Sequence, residues 1–156
     1  MKTLFVCNAN VSRSQVAAVL YKKYSGMESD SAGTNVSPER EGAVIPPDAS
    51  VAFMANEGLD ISKNTRKGIT PEMVEKFDKI IVMADKNVPD YLQNNEKVEF
   101  WDIQDTRNES DDVYKRVISE IKQKIIELME KNNIKMLEIK KGNENIRLPE
   151  NINKIK

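Results

Sequence analysis

The sequence contains no histidine, and among its 156 residues Cys7 is the only cysteine. Without histidine, Ser-His-Asp and Cys-His catalysis are excluded. Zinc sites that need imidazole are excluded as well, and one cysteine cannot supply a Cys-only site. Any catalysis by this chain would therefore depend on Cys7, carboxylates, arginines or hydroxyl groups.

Other shortages bear on location and partners. One cysteine cannot form an internal disulfide, which fits a reducing cytoplasm. No apolar run reaches the length of a membrane span, and Met1 and Lys2 lead directly into "TLFVC" without room for a signal peptide. The formal net charge of -1 gives no reason to expect nucleic acid or an anionic membrane as a partner. We expect a cytoplasmic protein that is a monomer or a weak dimer.

The apolar pattern predicts alternating strands and helices. Hydrophobic residues make up 39% of the chain, which suits one domain with a buried core. Apolar runs indicate strands, and spacings of three to four residues indicate helices. The predicted strands are "KTLFVC", "MESDSAG", "DKIIVMA" and "KVEFWDI", and the predicted helices lie at 14–25, "DASVAFMANEG", "TPEMVEKF" and 113–131. This order predicts an α/β sheet of parallel strands, whose carboxyl ends form the usual ligand edge. Phe100 and Trp101 are interpreted as core residues.

The last 25 residues differ in character, with six asparagines and five isoleucines. The segment 134–150 is compatible with a hairpin that turns at "GNEN". We favour the alternative of a loosely held appendage, and we place the domain boundary between residues 131 and 132.

The segment "CNANVSR" connects the first strand to the first helix. Five residues must curl back so that Arg13 faces Cys7, and such a curl turns backbone N–H groups inward into an anion-binding nest. The helix N-terminus adds a positive dipole end, which favours the thiolate form of cysteine. Asn10 tolerates a left-handed backbone, and Ser14 can donate a hydrogen bond to the sulfur. The residues alone leave a second interpretation open, in which Cys7 is a small buried hydrophobic residue.

The chain also resembles a known family. The segment "VCNANVSRS" is similar to the phosphate-binding signature of the low-molecular-weight protein tyrosine phosphatases and the related arsenate reductases. Further segments follow in the family's order and spacing over roughly the first 131 residues: "DSAGT", "GLDISKNTRKGIT", "FDKIIVMADKN" and "WDIQDTRNESDDVYKRVISEIKQKI". The resemblance implies a small three-layer sandwich with a four-stranded parallel sheet in the order 2-1-3-4, helices on both faces and a C-terminal tail.

The resemblance also implies the roles of the site residues. Cys7 is the expected nucleophile, Arg13 the expected ligand of the phosphoryl oxygens and Asp105 the expected general acid. The expected phosphate-binding loop comprises Asn8, Ala9, Asn10, Val11, Ser12 and Arg13. The residues expected to support it are Asn10, Ser14, Ser31 and Asn64. The implied reaction passes through a cysteinyl phosphate and needs no metal or cofactor.

The sequence departs from the family pattern at several of these positions. Ala9 replaces a usual glycine, Asn64 replaces a frequent histidine, and Thr106 replaces the proline that usually follows the acid. The Thr106 replacement is expected to loosen the backbone that positions Asp105. The stretches "NVSPEREG" and "TRNESDD" lack the aromatic residues that line phosphotyrosine clefts. Arg40, Arg66 and Arg107 are candidates to flank the cleft instead.

The expected function is a cysteine-dependent phosphatase for a phosphorylated protein, phosphotyrosine by default, or for a small phosphomonoester. Alternatives are a protein-arginine phosphatase, a phosphate-binding module with little turnover and a phosphoryl carrier. Val11 is closer to the isoleucine of tyrosine-directed members than to the threonine associated with phosphoarginine. Asp105 argues against the module and the carrier, because neither needs a general acid. The single cysteine excludes the disulfide relay of thioredoxin-linked arsenate reductases.

Overall fold

Four parallel strands form one sheet in the order β2-β1-β3-β4. The structure is a computed structural model that describes residues 1–137. The strands are β1 (Thr3–Cys7), β2 (Ser29–Gly33), β3 (Lys79–Val82) and β4 (Val98–Phe100). The α-helices are α1 (Arg13–Ser25), α2 (Ala49–Asn56), α3 (Pro71–Lys76) and α4 (Asp111–Lys131). The predicted fold class and strand order are confirmed.

Helices cover both faces of the sheet because its central strands are apolar on both sides. Phe5 and Cys7 of β1 point into a core with buried residues of α1, α2 and α4. Leu4 and Val6 point to the other face, where α3 packs against β1 and β3. Such a doubly covered sheet is typical of parallel α/β proteins.

The ends of the helices follow their capping residues. α1 stops at Gly26, whose φ of 70° is left-handed. Thr70 caps α3 by accepting a hydrogen bond from the N–H of Met73, with Pro71 at the first helical position. α4 begins two residues before the predicted Val113, because the Ser110 hydroxyl caps it by accepting the Val113 N–H.

The core prediction is wrong for one of its two named residues. Trp101 is buried and its ring centroid lies 6.0 Å from that of Phe5, as expected. Phe100, in contrast, is 55% exposed. It belongs to the edge strand β4, where successive side chains point to opposite sides and helix cover is incomplete.

The first residues after α4 lie against the domain. The N–H of Leu137 donates to the carbonyl of Tyr24 at 2.8 Å, and Ile134 and Met136 pack against the core. Residues 138–156, which include the predicted turn of the hairpin, lie outside the described residues. The domain boundary after residue 131 stays a prediction. None of the helices within residues 1–137 is both long and apolar enough to cross a membrane.

We predict that Ile125→Ala, which truncates a fully buried side chain of α4, destabilises the fold by about 2–5 kcal/mol because it leaves a cavity. Chemical denaturation measures the loss. The control is Gln123→Ala on the exposed side of the same helix, which should change stability by about 0.5 kcal/mol or less. Equal effects of the two substitutions would contradict the packing described.

Candidate active site

The loop from Cys7 to Arg13 leaves the carboxyl end of β1, a central strand. Four of its backbone carbonyl groups accept hydrogen bonds from donors that lie outside the loop, away from its concave side. The acceptor–donor pairs are Cys7 with the Thr34 N–H at 2.9 Å, Asn8 with the Asn35 N–H at 2.8 Å, Ala9 with Arg66 Nε at 3.0 Å, and Asn10 with Gln15 Nε2 at 3.1 Å. The curl is thus fixed from its outer side.

The N–H groups of the same loop have the opposite arrangement. Within residues 1–137, the N–H groups of Ala9, Asn10, Val11 and Ser12 have no protein acceptor. Successive free N–H groups in a curled backbone form an anion-binding concavity. The N-terminal end of α1 begins at Arg13 and adds its own positive dipole end.

Asn10 is the central support of this loop. It is fully buried and left-handed, with φ of 55°. Its Nδ2 donates to Ser14 Oγ at 2.8 Å and to Ser31 Oγ at 3.0 Å. Its Oδ1 accepts the N–H of Lys67 at 2.9 Å. The amide therefore connects the loop to α1, to β2 and to the segment before α3.

The Ser14 hydroxyl lies 3.0 Å from Cys7 Sγ. Because Ser14 Oγ already accepts a hydrogen bond from Asn10 Nδ2, its own proton is available for a hydrogen bond to the sulfur. A hydrogen bond donated to sulfur stabilises negative charge on that atom. The buried hydroxyl thus suits a cysteine that acts as a nucleophile or as a leaving group.

Asn64 supports the loop indirectly, through a second side chain. Its Nδ2 donates to Gln15 Oε1 at 3.0 Å, and Gln15 Nε2 in turn donates to the Asn10 carbonyl. The expected support role of Asn64 thus acts through Gln15, which sequence reasoning missed. The signal for Gln15 is weak, because it follows two other polar residues, Arg13 and Ser14, in the first turn of α1.

Asn8 connects the loop to the segment after β3. Its Oδ1 accepts the N–H groups of Asp85 and Lys86 at 3.0 and 3.1 Å, and its Nδ2 donates to Asp85 Oδ1 at 2.7 Å. The hydrogen bond from Asn8 holds the pKa of Asp85 below its ordinary value. This link was not foreseen, although the chain after β3 was expected at this edge of the sheet.

Arg13 is oriented by two backbone carbonyls. Its Nη1 donates to the carbonyls of Met83 at 2.8 Å and Ile103 at 2.9 Å, beyond the ends of β3 and β4. Its Nη2 lies 3.6 Å from Asp105 Oδ2. The fork is therefore anchored by one nitrogen, and it faces the same cavity as Cys7.

Asp105 lies on the turn after β4. Its Oδ1 accepts the Arg107 N–H at 3.0 Å, which fixes the carboxylate relative to its own turn. The looser turn expected from Thr106 stays a prediction. The Thr106 side chain is 2% exposed, and its hydroxyl contacts Ser12 Oγ at 3.4 Å, a long hydrogen bond to the loop. The turn is thus in contact with the loop through this side chain.

A cavity of about 380 Å³ joins these groups. Cys7 and Arg13 lie in its lining together with Asp105 and Thr106. Arg40, Arg66 and Arg107 also line it, as the sequence suggested, and so does Lys86. The lining includes one aromatic residue, Tyr114 of α4, whose hydroxyl lies 3.4 Å from Asp48 Oδ2. Sequence reasoning missed Tyr114, because its spacing before Val117 is that of an ordinary core position.

Within residues 1–137, no group of three or more histidine, cysteine or acidic side chains is arranged to hold a metal ion. The cavity is instead built around N–H donors and guanidinium groups.

Residues 2–141 match the family described as "Low molecular weight phosphotyrosine protein phosphatase". The chain belongs to this family. The match covers the sheet, the loop and every residue of the cavity.

Relatives within and around the family carry several activities in their names. The chain is 32% identical to an arsenate reductase of Halalkalibacterium halodurans, over 78% of this chain and 89% of that protein. A low molecular weight protein tyrosine phosphatase from T. tengcongensis superposes with a TM-score of 0.71 at 27% identity, covering 84% of this chain and 99% of that one. An arginine phosphatase from Geobacillus stearothermophilus superposes at 0.70 with 23% identity, over 85% and 92%. The last likeness concerns the fold alone.

Gly33 of β2 offers a test of the loop geometry. A Cβ at this position would lie 2.6 Å from the Asn8 carbonyl oxygen and 3.0 Å from the Asn10 nitrogen. We predict that Gly33→Ala shifts the loop and weakens phosphate binding by about 5–150-fold, because overpacking costs about 1–3 kcal/mol. Isothermal titration with inorganic phosphate measures the change.

The control for this prediction is Gly68→Ala. The nearest group to a Cβ there is the flexible carboxylate of Glu41 at 3.3 Å. Phosphate affinity should change little in this variant. Unchanged affinity in Gly33→Ala would show that the loop does not bind phosphate.

Proposed function

We propose that this protein is a cysteine-dependent phosphatase that hydrolyses phosphomonoesters, with protein phosphotyrosine as the substrate class. The observation that carries the proposal is the contact between Ser14 Oγ and Cys7 Sγ in a loop whose N–H groups are free. A hydroxyl that can donate to sulfur and several free N–H donors in the same loop suit a nucleophile and its phosphate together.

The first proposed step is attack by the Cys7 thiolate on phosphorus. The new S–P bond forms as the P–O bond to the leaving group breaks. The Asp105 carboxyl group gives its proton to the departing oxygen. The fork of Arg13 and the N–H groups of the loop bind the equatorial oxygens, where the transition-state charge is concentrated.

The second proposed step is hydrolysis of the cysteinyl phosphate. The Asp105 carboxylate takes a proton from a water molecule, whose oxygen bonds to phosphorus as the S–P bond breaks. Inorganic phosphate leaves, and the Cys7 thiolate is regenerated with the hydrogen bond from Ser14. The reaction balances without an oxidant or a reductant.

Phosphoarginine is the weaker candidate substrate. It carries a positive charge on its guanidinium group, and the acidic residues of the cavity lining, Asp48 and Asp105, are outnumbered by the basic ones, Arg13, Arg40, Arg66, Lys86 and Arg107. Like charges at short range disfavour that substrate. Phosphotyrosine has a neutral ring, and Tyr114 gives the cavity one aromatic surface.

Arsenate reduction through an intramolecular disulfide relay is also disfavoured. The relay must oxidise two protein thiols for each arsenate that is reduced, and Cys7 has no second cysteine as a partner in this sequence. The arsenate-reductase names among the relatives therefore fit the shared oxyanion loop better than a shared reaction.

We predict that Cys7→Ser abolishes turnover of para-nitrophenyl phosphate while phosphate binding and the fold persist. The hydroxyl is a far weaker nucleophile than a thiolate, whereas the loop N–H groups remain. Titration with phosphate and circular dichroism serve as controls. In the wild type, iodoacetate should inactivate the enzyme unless phosphate protects it. Full activity of the serine variant would contradict the assignment of Cys7 as the nucleophile.

We predict that Asp105→Asn slows alkyl phosphates by about 10²–10⁴-fold, the usual range for general acid catalysis. Aryl phosphates with good leaving groups should slow less, because they depend less on protonation. The alkaline limb of the pH–rate profile should flatten as well. Steady-state rates against pH for both substrate types measure these effects.

The control for this prediction is Asp102→Asn, an exposed residue earlier on the same segment. If Asp102→Asn alters rates and pH profile while Asp105→Asn does not, the general acid is Asp102. If neither matters and the wild type barely turns over, a phosphate-binding module replaces the proposed enzyme.

A further inference from the structure

The wall of the cavity beside the loop contains a buried arginine, Arg66, whose positive charge is only weakly compensated by neighbouring groups. Arg66 is 7% exposed, and its Nε donates to the Ala9 carbonyl. None of the ion pairs within residues 1–137 includes Arg66. A buried charge with one neutral acceptor is costly unless a counter-charge reaches it.

Two further guanidinium groups face the same place. Arg40 and Arg107 line the cavity with Arg66, and neither takes part in an ion pair among the described residues. Burial lowers the pKa of Arg66 below its ordinary value, the charges of Arg40 and Arg107 lower it further, and Cys7 acts in the opposite direction. Arg66 therefore lies close enough to both of the other guanidinium groups to be repelled by them.

The acidic residues of the cavity are engaged elsewhere. Asp105 lies 3.6 Å from Arg13 and accepts the Arg107 N–H. Asp48 caps α2 by accepting the N–H of Ser50. Neither carboxylate forms an ion pair with the guanidinium groups of Arg40, Arg66 or Arg107. A phosphoryl group bound in the loop would be compensated by the loop's own N–H groups and by Arg13, so it would leave these three guanidinium groups without a counter-charge.

We propose that Arg40, Arg66 and Arg107 form a second anion subsite, which binds an acidic side chain next to the phosphorylated residue of a protein substrate. The proposal rests on the proposed phosphatase function and specifies its substrate class. The charges extend from the buried Arg66 to the exposed Arg40 and Arg107 at the rim. This arrangement fits a chain that enters from the surface better than a small enclosed molecule.

The energetic scale follows from the exposure of the two rim residues. An ion pair at an exposed site contributes about 0.2–1 kcal/mol, which is up to about fivefold in affinity. An added charge-assisted hydrogen bond to the buried Arg66 would increase the gain in affinity, since such bonds are about twice as strong as neutral ones. Because the contact forms on binding and persists in the transition state, it should lower KM more than it raises kcat.

The test uses two phosphotyrosine peptides that differ only by glutamate or glutamine beside the phosphotyrosine. We expect the wild type to favour the glutamate peptide in kcat/KM by about 3–10-fold at low salt, mainly through KM, and less at high salt. The double variant Arg40→Gln and Arg107→Gln should lower this ratio at least about twofold, and the preference that remains is due to Arg66. Arg66 is kept, because its contact with Ala9 also supports the loop.

The matched control is Arg116→Gln, an exposed arginine of α4 that pairs with Glu120. Its ratio should equal that of the wild type. A wild-type ratio near 1 would overturn the subsite. So would a ratio that the double variant leaves unchanged. Binding of both peptides to Cys7→Ser, measured by calorimetry, gives the same ratio without turnover.

The proposed phosphatase function and the subsite fail in different ways. If para-nitrophenyl phosphate is not hydrolysed, the function fails, and the binding ratio in Cys7→Ser still tests the subsite. If it is hydrolysed but glutamate gives no advantage, only the subsite fails. A small phosphomonoester with a second anionic group, such as carboxyphenyl phosphate, forms the last arm. Its preference over phenyl phosphate without any preference between the peptides would overturn the protein substrate in favour of a small one.

Discussion

The buried amide of Asn10 is the interaction on which the rest of the site depends. Its two ends bind Ser14 and Ser31 on one side and the Lys67 N–H on the other. Asparagine also accepts the left-handed backbone at this point of the loop. Loss of the amide would leave several buried polar groups unsatisfied, at about 1–3 kcal/mol each. The Asn10 amide therefore holds the loop N–H groups in their orientation. It also leaves the hydroxyl proton of Ser14 available for Cys7 Sγ.

The electrostatics of the cavity follow from the same loop. Its N–H groups, the start of α1 and Arg13 place positive potential around Cys7 at the base. Arg66 extends that potential along the wall, and it also holds the Ala9 carbonyl. One guanidinium group thus shapes the loop and charges the cavity. A neutral substitute for Arg66 would therefore alter geometry and potential together.

Much of this could be predicted from the sequence. The apolar strands, the capping residues at Gly26 and Thr70 and the strand-loop-helix around Cys7 are local patterns, and local patterns survive folding. Phe100 was misjudged because burial at a sheet edge depends on what covers it, which strand periodicity does not reveal. Gln15 and Tyr114 were missed because Asn64 and Asp48, which they contact, lie 49 and 66 residues away in the chain. The burial of Thr106 likewise depends on packing between separate loops.

The anchoring of Arg13 links the site to the folding of the whole sheet. Its Nη1 binds carbonyls 70 and 90 residues further along the chain. Contacts of such sequence separation close long loops, and they form only when the strands around them are paired. A partly folded chain therefore has no assembled oxyanion pocket. By mass action, any anion that occupies the pocket stabilises the complete sheet against unfolding, and not the loop alone.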